Sequence, residues 1–172
     1  MTAEAANAAQ ADRIEELYIR YAPGGFRLAY LLTGDRQASE DCVQDAFVRV
    51  VGRLGHIRSG IAFDAYLRRT IVNLTKNTWR RRAVERAHAP VVAPAPADTP
   101  SGESAVVDRM AVWQAILLLP MRQRTAIVLR FYEDLAEDDI ASIMRCRPGT
   151  ARSLVARGMA TLRGTLEVPV DV

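Results

Sequence analysis

Between residues 83 and 103 the chain reads AVERAHAPVVAPAPADTPSGE, with prolines at 90, 94, 96 and 100. Each proline withholds a backbone donor, fixes its own φ and pushes the preceding residue toward extended backbone, so no helix or strand continues through the stretch. Such a segment is an extended, semi-rigid spacer. It divides the 172 residues into pieces of about eighty and about seventy, each near the lower size limit for a core of its own. Aromatic residues make up only 6% of the chain, so those cores must be assembled from Ala, Leu, Val and Ile, a composition that favours helices. The expected architecture is all-α: two small helical domains, residues 10–83 and 105–166, joined by a Pro/Ala-rich linker at 84–104.

In the first half, Ile14, Leu17 and Tyr18 mark a helix over about residues 11–20, which Pro23-Gly24-Gly25 is expected to end. A short apolar helix follows at 26–32, stopped by Thr33-Gly34-Asp35. Residues 38–54 give the most regular amphipathic pattern, with Ala38, Cys42, Val43, Ala46, Phe47, Val50, Val51 and Leu54 on one face. Its outer face carries Glu40, Asp41, Gln44 and Asp45, neighbours on a helix surface. Two readings fit these acids: complements to the dipole at a helix N-terminus, or a docking face for a basic partner. Residues 58–86 hold eight bases (Arg58, Arg68, Arg69, Lys76, Arg80, Arg81, Arg82, Arg86) against Asp64 and Glu85, an electrostatic footprint for nucleic acid. A long helix is expected from about Ala62 into this run, with Trp79 among the arginines. Bases interleaved with aromatics suit single-stranded nucleic acid, where each stacked base contributes roughly 1 to 3 kcal/mol. Phe63 and Tyr66, at helical spacing, fit a core equally well.

In the second half, Val106, Met110, Trp113, Ile116 and Leu117 mark a helix ending at Leu119-Pro120, and residues 121–132 form another. Residues 135–163 then read as two short helices around the turn Arg145-Cys146-Arg147. The first opens with Glu137, Asp138 and Asp139, where the dipole favours acids. The second begins near Pro148, a residue suited to a first helical position. Its apolar members Ala151, Leu154, Val155, Met159 and Leu162 recur every three or four residues, leaving Arg152, Ser153, Ala156, Arg157 and Arg163 largely off that face. This is the layout of a helix-turn-helix, whose second helix enters a DNA major groove.

Other classes find little support. The N-terminal MTAEAANAAQADRIEE lacks the basic start and apolar core of a secretory signal, and no apolar run reaches the length of a membrane span, so the cytoplasm is the expected location. Cys42, Cys146, His56 and His88 are scattered, which argues against a zinc site and a disulfide. There is no nucleophile paired with a base and no phosphate-cradling glycine loop, so neither an enzyme nor a cofactor site is expected. The net charge of +3 is small because acids and bases are segregated along the chain.

Two separated motifs, taken in order, resemble a known family. AYLLTGDRQASEDCVQDAFVRV followed by AYLRRTIVNLTKNTWRRR, and LPMRQRTAIVLRFYEDLAEDDIASIMRCRPGTARSLVARGMATLR, are similar to the two domains of an extracytoplasmic-function sigma factor of the sigma-70 family, a specificity subunit of bacterial RNA polymerase. The resemblance implies a protein that binds core polymerase, recognises duplex promoter DNA and melts it. It implies that Asp41, Gln44, Asp45 and Arg49 dock on the beta-prime clamp helices, with the beta flap a further contact of the polymerase. It implies that Phe63, Asn73, Lys76, Trp79, Arg80 and Arg81 hold the melted downstream element, and that Arg124, Arg130, Arg147, Thr150, Arg152, Ser153 and Arg157 bind the upstream element. Family members also meet anti-sigma partners, a question the sequence leaves open. Three departures stand out: Arg145 where a glycine is common, Ala151 and Gly158 in the second helix of the helix-turn-helix, and Asn77 where an acid is frequent. Gly158 is expected to loosen packing and to cost about 1 kcal/mol of helix stability. Two rivals stay open on the residues themselves: a stand-alone regulator whose first half senses a ligand or dimerises, and a helical protein that sequesters a basic partner through residues 40–45.

Overall fold

The computed structural model describes residues 3–53, 60–87 and 104–167. Its helices are α1 (Ala3–Thr33), α2 (Arg36–Val51), α3 (Gly60–Ala87), α4 (Ser104–Leu118), α5 (Met121–Phe131), α6 (Glu137–Met144) and α7 (Pro148–Glu167). Among the described residues there is no strand. The chain divides into two compact units, one within residues 1–75 and the other within 76–172. α3 continues through Ala87 and α4 begins at Ser104, so residues 84–87 and 104, expected in the linker, are helical, while residues 88–103 and Leu54 lie outside the described residues.

In the first unit, α1 runs unbroken through Pro23-Gly24-Gly25, where two helices were expected. A proline inside a helix costs about 3 kcal/mol, and burial on the following turns offsets it: Leu28, Ala29, Leu31 and Leu32 are all buried. Gly25 is a point of close approach. A Cβ there would lie 3.0 Å from Ile71 Cδ1 and 3.7 Å from Val43 Cγ2, so its lack of a side chain is what lets the neighbouring chains pack against it. Gly34, at φ 69°, ends α1 with its N–H donating to Tyr30 O at 2.8 Å. Asp35 caps α2, its carboxylate accepting from the Ala38 N–H at 2.9 Å. α2 therefore starts two residues earlier than the pattern suggests, and its first turn contains no acid.

The α2 face of Cys42, Val43, Ala46, Phe47 and Val50 is buried with Phe63, Leu67, Ile71 and Val72 of α3. Three ring contacts tie the helices together: Tyr18 to Phe47 at 4.9 Å, Phe47 to Phe63 at 5.8 Å and Tyr21 to Phe63 at 5.2 Å. Cys42 lies in this core, its Sγ 3.8 Å from Ile71 O. Burial, with the Asp45 carboxylate adding to it and Arg49 opposing, pushes the Cys42 thiol up from 9.0 to about 12.

In the second unit, α4 ends before Leu119-Pro120, and Arg124 reaches back from α5 to its C-terminus. The guanidinium donates to Leu117 O and to Leu119 O, a cation at the negative end of the helix dipole. After α5, Asp134 adopts φ 49° and Arg130 steadies the turn by donating to Leu135 O at 2.9 Å. α6 starts at Ala136 without a side-chain cap, so Glu137, Asp138 and Asp139 of its first turn supply the compensating charge. Arg145 closes α6 in the left-handed region, φ 52° and ψ 54°. The Cys146 N–H donates to Ala141 O at 3.0 Å and the Arg145 N–H to Ser142 O at 3.4 Å, the paired bonds of a Schellman motif. α7 begins at Pro148 as expected and buries Ala151, Leu154 and Leu162 against a core of Ile116, Ile127, Leu129 and Ile140.

Gly158 corrects the sequence reading. It is buried, and a Cβ on it would come 2.7 Å from Ile127 Cγ1. The residue that looked like a loosening is a place where α7 lies directly against Ile127 and Gln123 of α5.

Three outcomes follow for stability. Gly158→Ala, despite better helix propensity, lowers unfolding free energy by about 1 to 3 kcal/mol through overpacking, whereas Arg145→Gly raises it by up to about 1 kcal/mol by relieving the left-handed residue. Chemical denaturation of the two variants checks both signs. Because the Cys42 thiol ionises in the unfolded chain near pH 9.0 but stays protonated in the folded one to about 12, its contribution to stability is intact below pH 9 and lost as pH rises toward 12. Denaturation midpoints of Cys42→Ala should lack that component of the alkaline decline.

Candidate nucleic-acid interface

Three solvent-facing surfaces carry the residues singled out by sequence. On α2, Asp41, Gln44, Asp45 and Arg49 are exposed, opposite the buried Cys42, Ala46 and Val50. Gln37 donates to Asp41 Oδ1 at 3.1 Å and Arg36 pairs with Glu40 at 3.0 Å. With no acid in the first turn, and the dipole effect confined to that turn, complementing the dipole no longer accounts for these acids. Val48, 74% exposed, continues the face of Asp41, Gln44 and Asp45 at helical spacing. The sequence reading missed it; the available signal was an apolar β-branched residue seven positions after Asp41 on the polar side.

On α3, Asn73 is half-buried, and Lys76 and Arg80 are exposed. With Arg69 they follow a four, three, four spacing, which aligns them along one side of the helix. Trp79 is 39% exposed. Arg81 lies within α3, but its side chain is outside the described residues. Phe63 requires a correction. It is 1% exposed, and its ring is packed against Tyr21 and Phe47, so no face of it is free for a base. Of the two readings its helical spacing left open, the core one holds for Phe63, and the role implied by the resemblance does not.

On the helix-turn-helix, the side chains of Arg147, Thr150, Arg152 and Arg157 are exposed. The Arg147 carbonyl accepts from the Thr150 N–H at 2.9 Å and the Ala151 N–H at 3.1 Å, so Arg147 stands at the positive N-terminus of α7. Such a terminus suits a phosphate. Ser153 is half-buried and donates its hydroxyl to Gly149 O at 2.8 Å. Arg152 Nε donates to Glu137 Oε2 at 2.9 Å. Arg130 is exposed but spends one amino group on the turn before α6. Arg124 is the second correction: it is 7% exposed and caps α4, so it is structural and does not reach DNA phosphate. The sequence reading also missed the outward row of Gly149, Ala156, Ala160 and Gly164, all exposed on α7. Among the described residues no group of His, Cys, Asp and Glu could hold a metal, and no helix is long and apolar enough to cross a membrane.

These surfaces fall within two matches to known families, in order along the chain. Residues 17–84 match Sigma-70 region 2, and residues 109–162 match Sigma-70, region 4. The chain belongs to the sigma-70 family. The sigma factor is 32% identical over 141 residues to the RNA polymerase sigma-E factor of Streptomyces avermitilis, covering 82% of this chain and 78% of that one. It is 34% identical over 157 residues to the ECF RNA polymerase sigma factor SigE of Mycolicibacterium smegmatis, covering 88% and 61% respectively. With these relatives it falls in the extracytoplasmic-function class, and it directs promoter-specific transcription initiation. Among solved structures it is similar to the sigma factor RpoE of Bartonella quintana, crystallised in complex with the anti-sigma factor NepR (TM-score 0.74, 25% identity, 90% of this chain and 97% of that chain). A region 2 match in the first half leaves no place there for the sensor of a stand-alone regulator.

The two aromatic residues of α3 therefore separate cleanly. Phe63→Ala costs about 3 to 5 kcal/mol of stability. Trp79→Ala costs less stability than that, the residue being 39% exposed, and lowers the fraction of open complex on a promoter by more than its effect on stability explains. Thermal melts and permanganate footprinting of melted thymines check the pair.

Proposed function

We propose that the sigma factor divides its work among these surfaces. The α2 face of Asp41, Gln44, Asp45 and Arg49, with Val48 beside them, docks on the beta-prime clamp helices of core RNA polymerase. The observation that carries this is Val48: a 74% exposed apolar side chain set among acids on one face of a helix whose other face is buried. An apolar centre with a charged rim is how a protein interface is built, and a dipole complement does not need one.

Asn73, Lys76, Trp79, Arg80 and Arg81 hold the melted downstream element. Lys76 and Arg80 track its backbone, and the exposed part of Trp79 offers a stacking surface. Captured bases offset the few kcal/mol lost on unstacking. Helix α7 reads the upstream element as duplex: Arg147, Arg157, Thr150 and Arg130 fix its position on phosphates, while Arg152 and Ser153 face base edges. On this reading the functional domains are those expected at residues 10–83 and 105–166, extended by the end of α3 to Ala87 and the start of α4 at Ser104, with 88–103 as the linker between them. The second domain also meets the beta flap, an anti-sigma partner holds the protein in check, and all of this takes place in the cytoplasm, where the polymerase performs the chemistry.

Transcription with purified core polymerase on a genomic promoter library tests the assignment. Asp41→Lys with Asp45→Lys weakens core binding at least about 10-fold, as loss of paired charges at an interface does. Arg152→Ala leaves core binding unchanged and reduces initiation at specific promoters. The reverse pattern in a holoenzyme assembly assay would show that the faces are assigned wrongly.

A further inference from the structure

The outward face of α7 carries few chemical handles. Gly149, Ala156, Ala160 and Gly164 are exposed along it, and the Ser153 hydroxyl is engaged with Gly149 O. Small residues let a helix sit close to the groove floor, but they offer no donor or acceptor that tells one base pair from another. Ser153 and Thr150 can add single contacts, but the bidentate contact that discriminates most strongly falls to the arginines of this helix. A free arginine discriminates poorly, because its long side chain finds phosphate oxygens as readily as base edges.

Arg152 is not free. Its Nε is held by Glu137 Oε2 at 2.9 Å, and among the described residues Arg157 and Arg163 have no such ion pair. The two ends of the pair differ: the Glu137 side chain is 32% exposed in the first turn of α6, and the Arg152 side chain is 77% exposed. The carboxylate is the anchored partner, and the guanidinium is the one whose freedom the bond removes. Because the bond uses Nε, both terminal amino groups remain for the bidentate fork that guanine O6 and N7 accept. An exposed pair of this kind contributes little to folding. A bare carboxylate near a phosphate backbone also opposes DNA binding. Affinity for DNA does not account for Glu137, and the helix-dipole role it shares with Asp138 and Asp139 does not require a bond to Arg152.

We propose that Glu137 is a positioning residue: its hydrogen bond to Nε aims the Arg152 fork at one guanine-containing base pair of the upstream promoter element. The proposal rests on α7 being the duplex-reading helix. It separates position from charge, because Glu137→Gln removes the charge but keeps an oxygen that accepts from Nε, while Glu137→Ala removes both.

The test is initiation by holoenzyme, assembled from full-length sigma factor and core polymerase, on a promoter library randomised across the upstream element and read by sequencing of transcripts. Arg152→Ala should flatten the preference for guanine at one position by about 10-fold or more, within the range for a lost bidentate contact. Glu137→Ala should flatten the same position several-fold and leave the others unchanged, while Glu137→Gln keeps the preference. If Arg152→Ala flattens a position and Glu137→Ala only raises initiation uniformly, positioning is overturned while α7 stands as the reader. If both Glu137 variants flatten that position equally, charge rather than position is responsible and the proposal falls. If Arg152→Ala flattens no position, the assignment of base reading to Arg152 falls with it. Thermal melts of each variant verify that the fold is intact.

Discussion

Each half of the sigma factor holds a close contact at a glycine, tight at Gly25 and tighter at Gly158. At Gly25, Ile71 and Val43 come within reach of where a Cβ would stand, and at Gly158 the Ile127 side chain already occupies that place. Cores of this size, with so few aromatic rings, have little apolar area to bury. Close approach of helices raises the number of dispersion contacts that Leu, Ile, Val and Ala can make. Everything on the surface depends on this, because a helix pinned on one face presents its other face in a fixed register.

Those outer faces are segregated by charge. Acids lie on α2 and at the start of α6, while bases lie along α3 and α7. Segregation gives a protein with a small net charge strong local fields of both signs. One sign suits a basic protein surface, and the other suits phosphate. In the helix-turn-helix the two signs also meet, at Glu137 and Arg152.

What was legible in the sequence was local. The helical period of α2, the proline at the start of α7, the acids opening α6 and the break at Leu119-Pro120 all depend on residues within a turn or two of one another. The α6–α7 hairpin was legible for the same reason, whereas the left-handed backbone of Arg145 was signalled only by a resemblance in which glycine is common at that place. The misreadings share a different cause. Pro23-Gly24-Gly25 looks like a stop until Ile71 is seen against Gly25, and Gly158 looks like a weakness until Ile127 is seen against it. Phe63 and Arg124 carry side chains that suit nucleic acid, yet one is enclosed by Tyr21 and Phe47 and the other by the carbonyls of α4. In each case the deciding neighbour is distant in sequence or lies on another helix. Side-chain type named the chemistry available, and burial decided whether it could be used.

The Arg124 guanidinium has a mechanical consequence. Helix α4 is the first described element after the proline-rich segment, and its last carbonyls are fastened to α5 by a charged clasp that is almost wholly enclosed. α5 in turn bears on α7 at Gly158. Strain on the end of α4 is thus shared with α5 through Arg124 and with α7 through Gly158, which ties these three helices of the second unit together against fraying at α4.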